Sequence, residues 1–179
     1  MDNTKIPHRP GQQKIVFETP WFKVLATAGE SPHYLLQSPD FVTVVALDAQ
    51  GRLLLVRQFR QGVGSMTLEL PAGHVEAGET PEMAARKELM EETGHEASAL
   101  ELLGILSPST PRFTNRLWCY FAPDTRPSHS ETGIEAGIIR VYYTGSLSAL
   151  LADPEFISTG SHAALLHAVV RGKLNFPLW

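Results

Sequence analysis

The chain of 179 residues carries 19 Asp plus Glu against 15 Lys plus Arg, a formal net charge of −4, with 43% hydrophobic and 19% charged residues. These values suit one folded domain, which at this length buries about 70% of its unfolded-chain surface and needs no disulfide staple. The single cysteine, Cys119, excludes an intrachain disulfide framework and a Cys-based zinc site, and the mild acidity argues against coating nucleic acid through a general basic field.

Met1 to Gly11 is polar without the apolar run of a secretory signal, and no window approaches the ~18 uncharged apolar residues of a membrane helix. The expectation is a cytoplasmic protein with no membrane partner. From 13 to 47 the chain reads as short strands broken by turn signals: Ile15–Phe17, Phe22–Ala26, His33–Gln37 and Phe41–Leu47. Asp48-Ala-Gln-Gly51 turns into Arg52–Arg60, where Leu53, Leu54, Leu55 and Val56 suit a buried strand, and Met66–Leu70 is another strand ending at Pro71. Thr80 as N-cap, Pro81 at the first helical position and Gly94 as stop predict a helix between them. Strands follow near Leu102–Leu106, Asn115–Phe121 and Gly137–Tyr143, then a short helix around Leu147–Leu151 and a longer one from about Ser161 to Arg171. This order predicts a mixed α/β sandwich and a single domain over 1–179, with about 1–40 as N-terminal strands and 41–179 as the core. Cys119 and Trp118, on an apolar strand, are assigned to packing.

Glu76, Glu79, Glu82, Glu88, Glu91 and Glu92 place six of the 19 acids within 17 residues. On a helix Glu88, Glu91 and Glu92 stand at i, i+3 and i+4 and share a face, while Met83 and Met90 are expected to point toward a core, with Ala84 and Ala85 narrowing the flank. Like charges at this spacing each cost roughly 0.2–0.5 kcal/mol, so something should offset them. Arg86 and Lys87 could do so as local pairs on a solvated face. Alternatively, three convergent carboxylates are hard oxygen ligands for Mg²⁺ or Mn²⁺, and magnesium bound through a few carboxylates usually completes its shell with water and substrate phosphate.

The segment Gly73-x₅-Glu79-x₇-Lys87-Glu88-Leu89-x-Glu91-Glu92-x-Gly94 resembles the box of the Nudix hydrolase superfamily, Gly-x₅-Glu-x₇-Arg-Glu-aliphatic-x-Glu-Glu-x-Gly-aliphatic. Every Gly and Glu of that pattern is present; Lys87 stands for the Arg and His95 for the last aliphatic residue. The resemblance implies an α/β/α sandwich with a mixed sheet and N-terminal antiparallel strands. It implies divalent metal on Glu88, Glu91, Glu92 and the carbonyl of Ala72, with Glu91 and Glu92 counted among the catalytic residues. It also implies hydrolysis at phosphorus in X-linked nucleoside diphosphates by a metal-activated water.

Leu70-Pro71-Ala72-Gly73, with Val56-Arg57-Gln58-Phe59-Arg60 upstream, looks like the subgroup that cleaves ADP-ribose and nucleoside diphosphate sugars. By that resemblance Arg60 reaches substrate phosphate, the N-terminal strands serve a homodimer, and Trp21 offers a base-stacking face or packs in an interface. His74 touches substrate through its backbone, and Arg112 and Arg116 contact phosphate or sugar or are plain surface charges. Counting back from Ile139, Glu135 matches the general base of a loop common in the subgroup, with Glu131 the fallback. The proline that marks ADP-ribose enzymes, sixteen residues past the box, is Thr110 here, with Pro111 next to it. The leading expectation is therefore a Mg²⁺-dependent nucleoside diphosphate sugar hydrolase. An ADP-ribose pyrophosphatase and a non-catalytic ligand sensor are the alternatives.

Overall fold

The computed structural model describes residues 13–128 and 134–174. Three strands, β1 (Gln13–Glu18), β2 (Lys23–Thr27) and β3 (Tyr34–Gln37), form an antiparallel sheet of their own in that order. The hydroxyl of Thr19 accepts the N–H groups of Trp21 and Phe22 at 3.2 and 2.9 Å, closing β1 onto β2 in the way such hydroxyls make turns. Every residue of β1 is exposed.

The larger sheet holds β4 (Phe41–Asp48), β5 (Leu53–Arg60), β6 (Ser65–Glu69), β7 (Ala72–His74), β8 (His95–Ala97), β9 (Glu101–Leu106), β10 (Leu117–Pro127) and β11 (Ile139–Tyr143). Its main path runs β11-β5-β4-β10-β8, with β6 beside β5, β7 beside β4 and β9 beside β10. At its centre β4 and β10 run parallel, Leu117 opposite Phe41 and Phe121 opposite Val45, while the other pairs of this sheet are antiparallel. The sheet is therefore mixed.

The turn from β4 to β5 is tied by Asp48, whose Oδ1 accepts the N–H groups of Gln50 and Arg52 at 2.9 Å each. Beyond that turn β4 meets β5 only at Leu47 and Leu53, and the other end of the same edge, Phe41 to Thr43, pairs with β7. The two long strands thus splay apart, and β7 fills the split.

Both faces of β4 are covered, which explains its near-continuous apolar run. Val42, Val44 and Ala46 pack with Ala84, Ala85 and Leu89 of α1 (Pro81–Thr93). Val45, Leu53, Leu55 and Phe121 pack on the opposite face with Leu150 of α2 (Leu147–Leu151) and Leu165 of α3 (Thr159–Val170). Each such leucine, fully withdrawn from water, contributes about 1.5–3 kcal/mol. The expected α/β/α sandwich is the observed one. Among the described residues no helix is long and apolar enough to cross a membrane.

Helix α1 begins as its sequence predicts: the Thr80 hydroxyl accepts the Met83 N–H at 3.2 Å and Pro81 follows. It ends at Gly94, whose φ of 67° is the left-handed conformation glycine adopts without strain. Its facing differs from expectation. Met83 is 55% exposed, whereas Ala84 and Ala85 are fully buried, so small residues rather than methionine seat the helix on the sheet. The three-residue strands β7 and β8 were not anticipated, and β10 runs past Phe121 to Pro127, where its far end picks up β8.

Candidate functional site

The site grows from β7 and the inward flank of α1. Glu92 is only 3% exposed, and its Oε2 accepts the Ala72 N–H at 2.8 Å. One turn earlier, the Glu88 carboxyl lies against Gly73, where a Cβ would stand 2.1 Å from both Cδ and Oε1 of Glu88. Only glycine leaves that space. Because β7 is fixed to β4 through Phe41, Val42 and Thr43, the two carboxyls are held by the centre of the sheet.

Burial is the main reason that the Glu88 carboxyl is pushed up to about 7, with the charge of Glu91 adding to it. Burial likewise pushes Glu92 to about 8, against the opposing hydrogen bond from Ala72. Two adjacent carboxyls that resist ionisation, one buried and one half-buried, fit the hard oxygen donor set of a divalent cation, whose charge would favour their ionised forms. Among the described residues no three His, Cys, Asp or Glu side chains stand together so as to hold a metal ion by themselves. A hard divalent cation here would need further oxygens from backbone, water or substrate.

Lys87, standing where the Nudix pattern has Arg, is directed away from Glu88. Its Nζ lies 2.7 Å from Glu76 and 3.6 Å from Glu79, while the Glu79 carboxylate also accepts the Glu76 N–H at 3.1 Å. One ammonium therefore ties the box loop to the helix. Arg86 pairs with Glu82 at 2.8 Å, and so two of the six clustered glutamates are balanced on the outer flank.

The segment before β11 closes on the same helix. The Glu135 N–H donates to the Glu91 carbonyl at 2.9 Å, and the Glu135 charge acts on Glu88, Glu92 and Arg60. Glu131 lies outside the described residues. Arg60 makes a two-pronged pair with Glu69, Nε and Nη2 at 2.9 and 2.8 Å from the carboxylate, and the Thr67 hydroxyl donates to Glu69 at 2.6 Å. Glu69 was not foreseen. It is the one charged residue of β6, a pattern that gives no hint of a partner nine residues away.

Arg60, Glu69, Ala72, Gly73 and His74 line one side of a cavity of about 430 Å³, which extends to α3. The His74 ring packs 4.8 Å from that of Phe41, and burial, then the Arg60 charge, lowers its pKa. Arg112, Arg116 and Trp21 are not gathered here. Arg112 donates to the Tyr34 carbonyl of β3 at 3.1 Å, and the Arg116 N–H donates to Asp40, in the loop before β4, at 2.8 Å. Trp21 is 71% exposed and lines a separate depression with Phe22 and Pro39.

The sequence profile described as NUDIX domain matches residues 38–141. The chain is 40% identical over 70 residues to the ADP-ribose pyrophosphatase of Bacillus subtilis (strain 168), covering 39% of this chain and 38% of that protein. It is 53% identical over 49 residues to the ADP-sugar pyrophosphatase of Mus musculus, covering 27% and 22%, and 30% identical over 114 residues to the ADP compounds hydrolase NudE of Escherichia coli (strain K12), covering 63% and 61%. The chain thus spans less than two thirds of the length of each of these relatives. A crystal structure of an ADP compounds hydrolase superposes with a TM-score of 0.73 at 23% identity, covering 90% of this chain and 94% of that one, and so shares the fold.

Proposed function

This chain belongs to the NUDIX domain family, and from that premise we propose that it is a Mg²⁺-dependent hydrolase of nucleoside diphosphate sugars, releasing nucleoside monophosphate and sugar 1-phosphate. The observation that carries the reading is the pair of carboxyls, half-buried Glu88 on Gly73 and buried Glu92 on the Ala72 amide, beside a cavity bordered by Arg60. Bound Mg²⁺ or Mn²⁺ would neutralise the diphosphate and lower the pKa of the attacking water. Glu88, Glu91, Glu92 and the Ala72 carbonyl would hold the cation. Arg60, kept in one orientation by Glu69, presents its guanidinium to a phosphate oxygen. Glu135 accepts the proton of the water that attacks phosphorus, while the bridging oxygen leaves with the departing phosphate; its amide bond to Glu91 keeps the loop at the metal helix. Two such chains form the working unit through the small sheet.

ADP-ribose as the main substrate is the second reading, favoured by the name of the Bacillus subtilis relative. A hydrolysis panel with Mg²⁺ and ADP-ribose, ADP-glucose, GDP-mannose and UDP-glucose separates the two. Glu92→Gln retains an oxygen to accept the Ala72 N–H and should fold normally, yet lose at least ~100-fold in kcat/KM. Near wild-type turnover in that variant would remove the metal assignment, and no turnover of any panel member by the parent protein would leave a ligand-sensing domain.

A further inference from the structure

Helix α1 reaches its C-terminus without a positive charge of its own: the last turn holds Glu91 and Glu92 and no basic residue. A helix end of this kind carries about half an elementary negative charge, and its final carbonyls lack intrahelical donors. Other elements supply both. The Glu135 N–H donates to the Glu91 carbonyl at 2.9 Å, and the Ser128 N–H donates to that of Gly94 at 2.8 Å. The cation comes from Arg140 of β11, whose Nη1 donates to the carbonyl of fully buried Thr93, which the His95 ring shares. A Cβ on Gly94 would stand 3.3 Å from that Nη1 and 3.8 Å from Cγ1 of Ile134, so the guanidinium and Ile134 close together over the helix end.

Arg140 and Tyr142 lie opposite Val56 and Leu54, on the face of the sheet that α1 covers. The Arg140 guanidinium sits 5.0 Å from the Tyr142 ring centroid, a contact that directs it along the strand toward the helix end. Between Glu135 and β11 there is only one tight turn. The Ile138 N–H donates to the Glu135 carbonyl at 3.1 Å, and Gly137, with φ 89°, takes the third position, where a turn of this kind needs positive φ. Glu135 itself is exposed, so its single amide bond to Glu91 competes with water. The bond from Arg140 is charge-assisted and partly buried, and hence the stronger of the two.

We infer that Arg140 is a positioning residue for the hydrolysis: by clamping β11 to the Thr93 carbonyl it fixes the turn that carries Glu135 against the end of α1. It touches neither substrate nor cation, and it acts through Glu135. The inference rests on the hydrolase reading, in which Glu135 takes a proton from the attacking water.

Arg140→Gln removes the cation, and Arg140→Lys keeps it without the planar fork. Arg52→Lys is the control, because Arg52 lies 4.0 Å from the same Tyr142 ring but is committed to Asp48. On the panel substrate that the parent hydrolyses fastest, Arg140→Gln should lower kcat at least ~10-fold with KM within about twofold. Arg140→Lys should recover part of that loss, and Arg52→Lys should match the parent. In a Glu135→Gln background, Arg140→Gln should lower kcat by less than about twofold further, since the group it positions is already disabled. Without substrate or metal, hydrogen exchange read by mass spectrometry should be about tenfold faster for peptides covering 134–141 in Arg140→Gln, and unchanged in Arg52→Lys. A loss of kcat as large in the Glu135→Gln background as in the parent would show that Arg140 supports only the fold. Parent-like kcat or parent-like exchange in Arg140→Gln would show that there is no clamp. Arg140→Lys, with its smaller loss put to the same background and exchange tests, decides the matter if the glutamine variant does not fold. A parent protein without turnover defeats the hydrolase reading and this role with it, whereas an active parent with any of those contrary outcomes overturns the role of Arg140 alone.

Discussion

A methyl group on residue 73 would occupy the space of the Glu88 carboxyl. Gly73→Ala must therefore drive Glu88 off β7 or push the strand off β4, and overpacking of this kind costs about 1–3 kcal/mol. The chemistry should suffer more than the fold. The expected outcome is a modest fall in Tm together with at least ~100-fold lower kcat/KM and weaker Mn²⁺ binding by calorimetry. Parent-like Mn²⁺ affinity in that variant would show that Glu88 is not held for a cation. Residues of this kind divide by how they announce themselves. The box glutamates are legible because their spacing is long and specific. Glu69 is not, because on a sheet covered on both faces a polar residue looks the same whether it meets water or a partner. Trp21, Arg112 and Arg116 were candidates by position in the chain, and the fold places them on the small sheet and its connection instead.

Among the elements, β4, β5 and α1 were legible for separate reasons: an apolar run with both faces buried, a leucine-rich strand after a tight turn, and a helix with both caps written in sequence. Strands β7 and β8 were not, since three residues leave no periodicity to read. The facing of α1 misled for a physical reason: its buried residues are Ala84, Ala85, Leu89, Glu92 and Thr93, so only one large apolar residue marks its core side. The end of α1 carries one further consequence. His95 is 1% exposed, its Nδ1–H donates to the Thr93 carbonyl at 2.9 Å, and its ring meets Tyr142 edge-on at 5.7 Å. Burial, then the charge of Arg140, lowers its pKa below the usual 6.5, although the Thr93 bond opposes the shift. A base with a depressed folded-state pKa contributes stability that is fully present above the unfolded value. That stability is lost as pH falls from about 6.5 toward the folded value, at up to about 1.4 kcal/mol per pH unit. His95→Leu, which restores an aliphatic residue at the end of the box, should thus lose less Tm than the parent between pH 7 and pH 5. Parallel pH profiles for the two proteins would show that His95 is already solvated or charged.

For the whole molecule, the net charge of −4 is a local property, since Glu76, Glu79, Glu82, Glu88, Glu91 and Glu92 exceed the imbalance. Half of that group sits at the candidate cation site, so the acidity describes a site more than a surface. The small sheet poses a different problem. Ile15, Val16 and Phe17 are successive residues of β1 and are 46%, 48% and 55% exposed. Side chains alternate along a strand, so three consecutive exposed apolar residues mean that both faces of β1 are uncovered. A strand left bare on both faces by the described residues calls for a cover, and a second copy of this chain is the one the proposed dimer supplies. Light scattering should then give about twice the 19.7 kDa of one chain. Phe17→Asp places a charge in that contact and should yield monomers with reduced kcat/KM, its core Tm nearly unchanged because β1 touches none of the buried clusters around α1 and α3. A parent protein that is monomeric at micromolar concentration and fully active would show that β1 needs no partner of its own kind.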